Sequence, residues 1–251
     1  MALTDPSGFT LTVLGCSGSY AAPGEACSGY LLSSEDTHVW LDCGPGTLAN
    51  LQTHVALDEL TGIVTTHAHA DHWSDLLTAH VAFQHYLDRR AVPTFGTAET
   101  RERFEAARGA PTGPAFDWHT ITDGSMFELA GLRFTCAATD HPVETLAVRV
   151  ADGRGRTLVY TADTGAEWSL ASLGTGADVA LCEATLADDE AGSFTHLTAR
   201  EAGEAARAAD ASRLVLTHFA PGADREEQRR LATAAFGADV EVASTHYRTA
   251  I

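Results

Sequence analysis

Basic side chains are scarce in this sequence: 16 Lys and Arg stand against 34 Asp and Glu, giving a formal net charge of −18. Proteins that track extended nucleic acid neutralise phosphates with Lys and Arg, so this balance argues against a broad DNA- or RNA-binding face. It leaves room for a small anionic ligand attracted locally by bound cations, while the remaining acidity reads as general solubility or adaptation to salt. Cysteine is sparse too. Cys16, Cys27, Cys43, Cys136 and Cys182 are odd in number, scattered and without C-x-x-C spacing. That excludes a disulfide framework and predicts reduced thiols in a cytoplasmic protein. No window approaches the roughly 20 apolar residues of a membrane span, so no membrane partner is expected. One stretch, Val13-Leu14-Gly15-Cys16, imitates a lipoprotein processing box. The segment before it has no basic residues and carries Asp5, Pro6 and Gly8, so it is not read as an export signal.

With 45% apolar and 8% aromatic residues, the 251-residue chain has the composition of a globular enzyme, long enough for one large layered domain. Alternation over residues 9–14, 30–32 and 39–41 predicts an opening series of antiparallel strands. Gly-rich breaks follow at Gly15-Cys16-Ser17-Gly18-Ser19 and Asp42-Cys43-Gly44-Pro45-Gly46, the second leading into a short helix ending at Leu51. Residues 74–88 read as a helix, and residues 91–125, with three prolines, as the least regular part. Strands resume over 132–136, 146–150, 157–161, 179–182 and 214–217. Helices are predicted over 199–209, with Thr198 and Glu201 in capping-box relation, and over 225–236, with Asp224 and Glu227 similarly placed. Hairpin-linked strands early and strand–helix alternation late fit a two-sheet core between helices, in a single domain over residues 1–251.

The decisive segment is Thr66-His67-Ala68-His69-Ala70-Asp71-His72, directly after the strand-like Gly62-Ile63-Val64-Thr65. Neutral imidazole binds zinc and similar divalent ions, and the carboxylate adds charge to hold a second cation. Three further residues follow predicted strands: His141 in Thr139-Asp140-His141-Pro142, Asp163 in Ala162-Asp163-Thr164-Gly165, and His218 before Phe219-Ala220-Pro221. Donors at strand ends converge on one rim of a sheet, where loops carry chemistry on a rigid base.

These residues resemble, in order, the motifs of the metallo-β-lactamase superfamily, over a span from about residue 14 to residue 221. The resemblance implies an α/β fold of αββα sandwich type, with two mixed sheets flanked by helices. It implies that His67, His69 and His141 hold one metal, that Asp71, His72 and His218 hold the second, and that Asp163 bridges. The β-lactamases proper commonly have Cys where this chain has Asp163, which ranks antibiotic hydrolysis low. Cys182-Glu183-Ala184-Thr185 and Thr195-His196-Leu197-Thr198-Ala199 resemble the His-Glu-Ala-Thr and His-Ser-Thr segments of the RNase Z-like branch. There the histidine matching His196 donates a proton to the leaving oxygen. The helix beginning near Thr198 offers N–H groups to a phosphate, but its dipole disfavours an imidazolium, so Glu183 is the expected support for protonated His196.

Two departures separate the chain from RNase Z proper. Only 21 residues lie between His141 and Asp163, too few for the long tRNA-binding arm, and Cys182 replaces the branch histidine. A narrower resemblance, carried by Leu14-Gly15-Cys16-Ser17-Gly18-Ser19, Ser28-Gly29-Tyr30-Leu31, His141-Pro142-Val143-Glu144, Leu181-Cys182-Glu183-Ala184 and His196-Leu197-Thr198, is to the actinobacterial, atypical class II-like cyclic nucleotide phosphodiesterases. It implies hydrolysis of a small anionic phosphodiester, 3′,5′-cyclic AMP or a related cyclic nucleotide. In such a site two divalent ions about 3.5–4 Å apart ionise a shared water and clamp the phosphate in line. Zn is the leading metal, with Mn and Fe as alternatives. Asp71 would orient the attacking hydroxide and His196 act as general acid. The competing readings are an RNA-processing nuclease and another hydrolase on the same scaffold, such as a lactonase. Relatives are commonly dimers, so a homodimer is the expected assembly. His38, His54, His80, His85, His119 and His246 are read as ordinary surface or core residues.

Overall fold

The computed structural model describes residues 8–251, so Asp5 and Pro6, on which the export reading partly rests, lie outside the described residues. The first sheet is built from β1 (Thr10–Gly15), β2 (Gly29–Ser34), β3 (Thr37–Cys43), β4 (Gly62–Val64), β5 (Val92–Gly96), β6 (Phe116–Thr120) and β14 (Arg248–Ala250). The second contains β7 (Met126–Leu129), β8 (Leu132–Ala138), β9 (Leu146–Ala151), β10 (Thr157–Tyr160), β11 (Val179–Glu183), β12 (Leu214–Thr217) and β13 (Glu241–Val242). Their orders are β14-β1-β2-β3-β4-β5-β6 and β13-β12-β11-β10-β9-β8-β7. Both sheets are mixed. The hairpin-linked strands β1–β3 and β7–β10 pair antiparallel, and the strands reached through crossovers, β4–β6 and β11–β13, pair parallel.

The period-two pattern of the opening strands fixes the layers. Side chains alternate across a strand, so Leu11, Val13, Tyr30, Leu32, Val39 and Leu41 turn inward to meet Phe134, Val148, Leu158 and Tyr160 of the second sheet. Their neighbours Leu14, Leu31 and Trp40 face the other way and pack with Leu76, Phe83 and Phe104. That outer face is covered by α1 (Thr47–Leu51), α2 (Leu76–His85) and α3 (Ala98–Arg108). On the far side α4 (Ala199–Ala208) packs on β11 and β12, and α5 (Arg225–Phe236) packs on α4. The result is the expected αββα sandwich. Burying each large aliphatic side chain stabilises it by about 1.5–3 kcal/mol.

Thr198 caps α4 reciprocally with Glu201, and Asp224 caps α5 by accepting from the Glu227 N–H, as the spacing predicts. The predicted helix over 74–88 is shorter, Leu76–His85. Residues 91–125 depart from expectation: they hold β5, α3 and β6. The charged α3 buries only Thr100 and Phe104, too thin a stripe to register as periodicity, yet Thr97 caps it and Gly109 (φ 68°) ends it. Pro93 lies inside β5, which pairs with a neighbour on each side. All five cysteines are free and buried, consistent with reduced thiols. Among the described residues no helix is long and apolar enough to cross a membrane.

Candidate metal centre

Each donor-bearing residue follows the C-terminal end of a strand. After β4, the Thr66 N–H and hydroxyl donate to Asp42 at the end of β3, fixing the chain where it leaves the sheet. The 3₁₀ turn Ala70–His72 then folds the segment on itself, bringing the His67 and His72 rings to 4.1 Å between centroids. From the second sheet come His141 after β8, Asp163 after β10 and His218 after β12. His218 has φ 53° and Asp42 φ 54°, a left-handed backbone uncommon for residues other than glycine. Two glycines give the loops room. A Cβ on Gly44 would lie 2.0 Å from the Asp71 carbonyl oxygen, and one on Gly18 would lie 2.8 Å from His218 Nδ1.

All seven side chains singled out in the sequence meet at this rim. His67, His69, His141 and Asp163 form one set of converging donor atoms, and Asp71, His72 and His218 another. His69 Nδ1 lies 3.1 Å from His141 Nε2, and His72 Nε2 lies 3.1 Å from His218 Nε2. Asp163 stands between the sets. Its Oδ2 is 3.5 Å from His67 Nε2 and 3.9 Å from His141 Nε2, and its Oδ1 is 3.4 Å from both His72 Nε2 and His218 Nε2. Among the described residues, the buried His67 Nε2 and Asp163 Oδ1 have no hydrogen-bond partner. Orphaned buried polar atoms are costly, and a divalent cation among these nitrogens and carboxylates would satisfy them. The donor set fits such ions.

The outward nitrogens are held by the protein. His72 Nδ1 donates to Asp42 Oδ2 at 2.8 Å and His141 Nδ1 to the Thr195 carbonyl at 3.1 Å. His218 Nδ1 lies 2.9 Å from the Thr185 hydroxyl, which donates to Glu183 Oε2 at 2.6 Å. Such partners orient imidazoles and keep the inner nitrogens aimed at a cation. Burial holds His67, His69 and His141 below the ordinary histidine range, His141 down to about 4, so their lone pairs are free at neutral pH. For His72 and His218 burial acts the same way, but the Asp163 and Asp71 carboxylates outweigh it and raise both. Asp71, although buried, is held below the usual carboxylate range by His72 and His218. Its Oδ2 also accepts the Ser19 N–H at 2.8 Å.

His196 and Glu183 meet beside this cluster. His196 Nδ1 donates to Glu183 Oε1 at 3.0 Å, leaving Nε2 for a ligand, and the His196 ring stacks 5.6 Å from that of His218. Glu183 is fully buried and also accepts the Thr164 N–H at 2.7 Å. Burial pulls the imidazole down, but the hydrogen bond and charge of Glu183 prevail and raise it to about 9. A cavity of about 500 Å³ opens here, lined by Ser19, His69, His141, Pro142, Phe194 and His196 among others. Another of about 460 Å³, bounded by Met126, Phe127 and Arg133, lies away from the donors.

Asp42 belongs to none of the donor motifs, yet it supports them. It is fully buried and accepts from Thr66, His72 and the Tyr160 hydroxyl, binding β3, β4 and β10 to the metal rim. The available signal was a carboxylate closing an apolar strand just before a Gly-Pro-Gly turn. In Asp42→Asn an amide N–H₂ must face one of these donors. Metal affinity is expected to fall ~10–100-fold, as for other partners of metal-binding histidines, measurable by chelator competition. The six remaining histidines lie elsewhere. His80 bonds to the Thr112 carbonyl, and His54 and His246 meet at 2.9 Å on the surface.

Residues 37–219 match the family model of the beta-lactamase superfamily domain. The chain belongs to that family and is a metal-dependent hydrolase of the metallo-β-lactamase fold. It is 37% identical over 242 residues to the uncharacterized protein ML1173 of Mycobacterium leprae, covering 92% of this chain and 84% of that one. It is 31% identical over 248 residues to the Bacillus subtilis protein described as probable metallo-hydrolase YhfI, covering 94% and 98%. The crystal structure of YhfI superposes with a TM-score of 0.90 at 28% identity over 97% of this chain and 100% of that one. The short form of human tRNase Z shares the fold, with a TM-score of 0.77 at 21% identity over 96% and 98%. The RNase Z-like placement agrees with a ribonuclease Z of Natronomonas pharaonis, 26% identical over 296 residues and covering 92% of this chain and 94% of that one.

Proposed function

We propose that this hydrolase is a phosphodiesterase that opens a small phosphodiester, 3′,5′-cyclic AMP or a related cyclic nucleotide. The observation that carries the reading is the His196–Glu183 pair beside the two donor sets, at the mouth of a cavity sized for a small molecule. His67, His69 and His141 would hold one divalent ion, Asp71, His72 and His218 the other, and Asp163 both; Zn is the leading candidate. When bound, such a pair neutralises phosphate charge and makes a water nucleophilic at neutral pH. The chain contains no lysine, and no arginine lines the cavity, so the positive charge that the protein's own side chains bring there is that of protonated His196.

Asp71, anchored by the Ser19 N–H, orients the attacking water. The water gives up one proton to solvent and its oxygen bonds to phosphorus; the ester bond to the ribose 3′ oxygen breaks, that oxygen keeps the bonding electron pair and takes a proton from His196 Nε2, and solvent reprotonates His196. The product is a 5′-monophosphate. Glu183 keeps His196 protonated, so the acid form persists up to about pH 9 and is lost above it. Glu183→Gln removes the charge, and the alkaline limb of kcat should move to lower pH. An unshifted profile would deprive Glu183 of this role.

The deciding assay is a panel of 2′,3′- and 3′,5′-cyclic nucleotides with added Zn or Mn, beside a lactone and a precursor tRNA. Release of 5′-AMP supports the proposal, and turnover confined to the lactone or the RNA replaces it. The RNA-processing reading gains little from the chain, because β9 and β10 with their short turn fill most of the interval between His141 and Asp163.

A further inference from the structure

Phe194 stands out at the rim of the cavity. The residue is 72% exposed, and among the described residues it is the large exposed apolar one that lines this cavity. The other exposed large apolar residues are Val81, Tyr86, Leu87 and Met126, in or just after α2 and on β7, and Tyr20, which follows Ser19 but does not itself line the cavity. The backbone around Phe194 is fixed: its carbonyl accepts the His196 N–H at 2.9 Å, the Ser193 N–H bonds to the Glu190 carbonyl at 2.9 Å, and the next carbonyl, of Thr195, holds His141. The chain is anchored on both sides while the aromatic face itself is left to solvent.

We infer that Phe194 is the platform on which the base of the nucleotide stacks, and so the residue that makes this site prefer a phosphodiester carrying a planar aromatic group. The assignment rests on the phosphodiesterase reading above and deepens it. Phe194 and the proton donor His196 line the same cavity and, being two residues apart along the chain, have their Cα atoms separated by at most about 7 Å. The apolar Pro142 and Leu186 line the same cavity, which suits a base more than a charged group. Stacking is tolerant of base identity because every base presents a π face. The site should therefore accept adenine and guanine cyclic nucleotides with similar KM and discriminate against a diester with no base.

The test compares wild type, Phe194→Ala and Phe194→Trp on 3′,5′-cyclic AMP and on methyl riboside 3′,5′-cyclic phosphate, in which a methoxy group replaces the base. For Phe194→Ala, KM for cyclic AMP should rise roughly tenfold, the scale of one lost aromatic–base contact, with the effect in KM and not kcat. Phe194→Trp should restore it, and KM for the base-free substrate should be the same in all three. An unchanged KM for cyclic AMP in Phe194→Ala, or an equal rise for both substrates, overturns the platform and leaves the phosphodiesterase reading standing. Failure of wild type to open either cyclic diester, with metal bound, overturns that reading and the platform with it. Bound metal measured for each variant separates these outcomes from misfolding.

Discussion

Replacing Asp163 by Ala is expected to abolish turnover, a loss of at least ~10³-fold, and to empty both metal positions. The carboxylate touches both donor sets, one oxygen toward His67 and His141 and the other toward His72 and His218. Without it five imidazoles face one another with little negative charge to balance two cations. Charge stabilisation by a metal pair amounts to several kcal/mol in the transition state, and each ~1.4 kcal/mol is tenfold in rate. Asp71→Ala provides the contrast: it should also stop turnover but deplete one cation, because Asp71 lies in one set. Elemental analysis beside a phosphodiesterase assay reads both quantities. Two cations retained in Asp163→Ala would remove the bridging role.

His196→Ala should cost ~10²–10⁴-fold in kcat, the usual contribution of a positioned general acid, while both cations stay bound. Metal content matters because His196 also lies close enough to Asp163 and His218 to complete a third possible donor set. Its Nδ1 donates to Glu183, an arrangement that serves a proton donor and a metal ligand alike, so retained metal is what assigns the proton-donor role. Loss of metal in the variant would reverse that assignment. A substrate with an acidic leaving group needs little protonation, so its hydrolysis should suffer much less. That comparison separates a missing proton from a disturbed metal pair.

Much of the fold was legible because burial imposed a simple code. In β1–β3 one face meets the second sheet and the other meets α1–α3, so the apolar alternation names both layers. The donors were legible for a different reason: His and Asp at strand ends are chemically conspicuous, and their order along the chain matched a known arrangement. Residues 91–125 escaped because β5 contains a proline and α3 exposes most of its surface. The strands β13 and β14 are short and exist through their pairing with β12 and β1, which no local window contains. Asp42 escaped because its importance lies in what it accepts, from Thr66, His72 and Tyr160, the last 118 positions away along the chain.

The rim draws His67, His69, Asp71 and His72 from one sheet and His141, Asp163 and His218 from the other. A cation seated among His67, His69, His141 and Asp163 is thus a rivet through both halves of the sandwich, and its site is incomplete until the loops after β4, β8 and β10 have come together. Neither half of the polypeptide, expressed alone, would carry a complete coordination shell. Assembly of the donor cluster thereby requires the sandwich to be closed, and ion uptake reports on that closure.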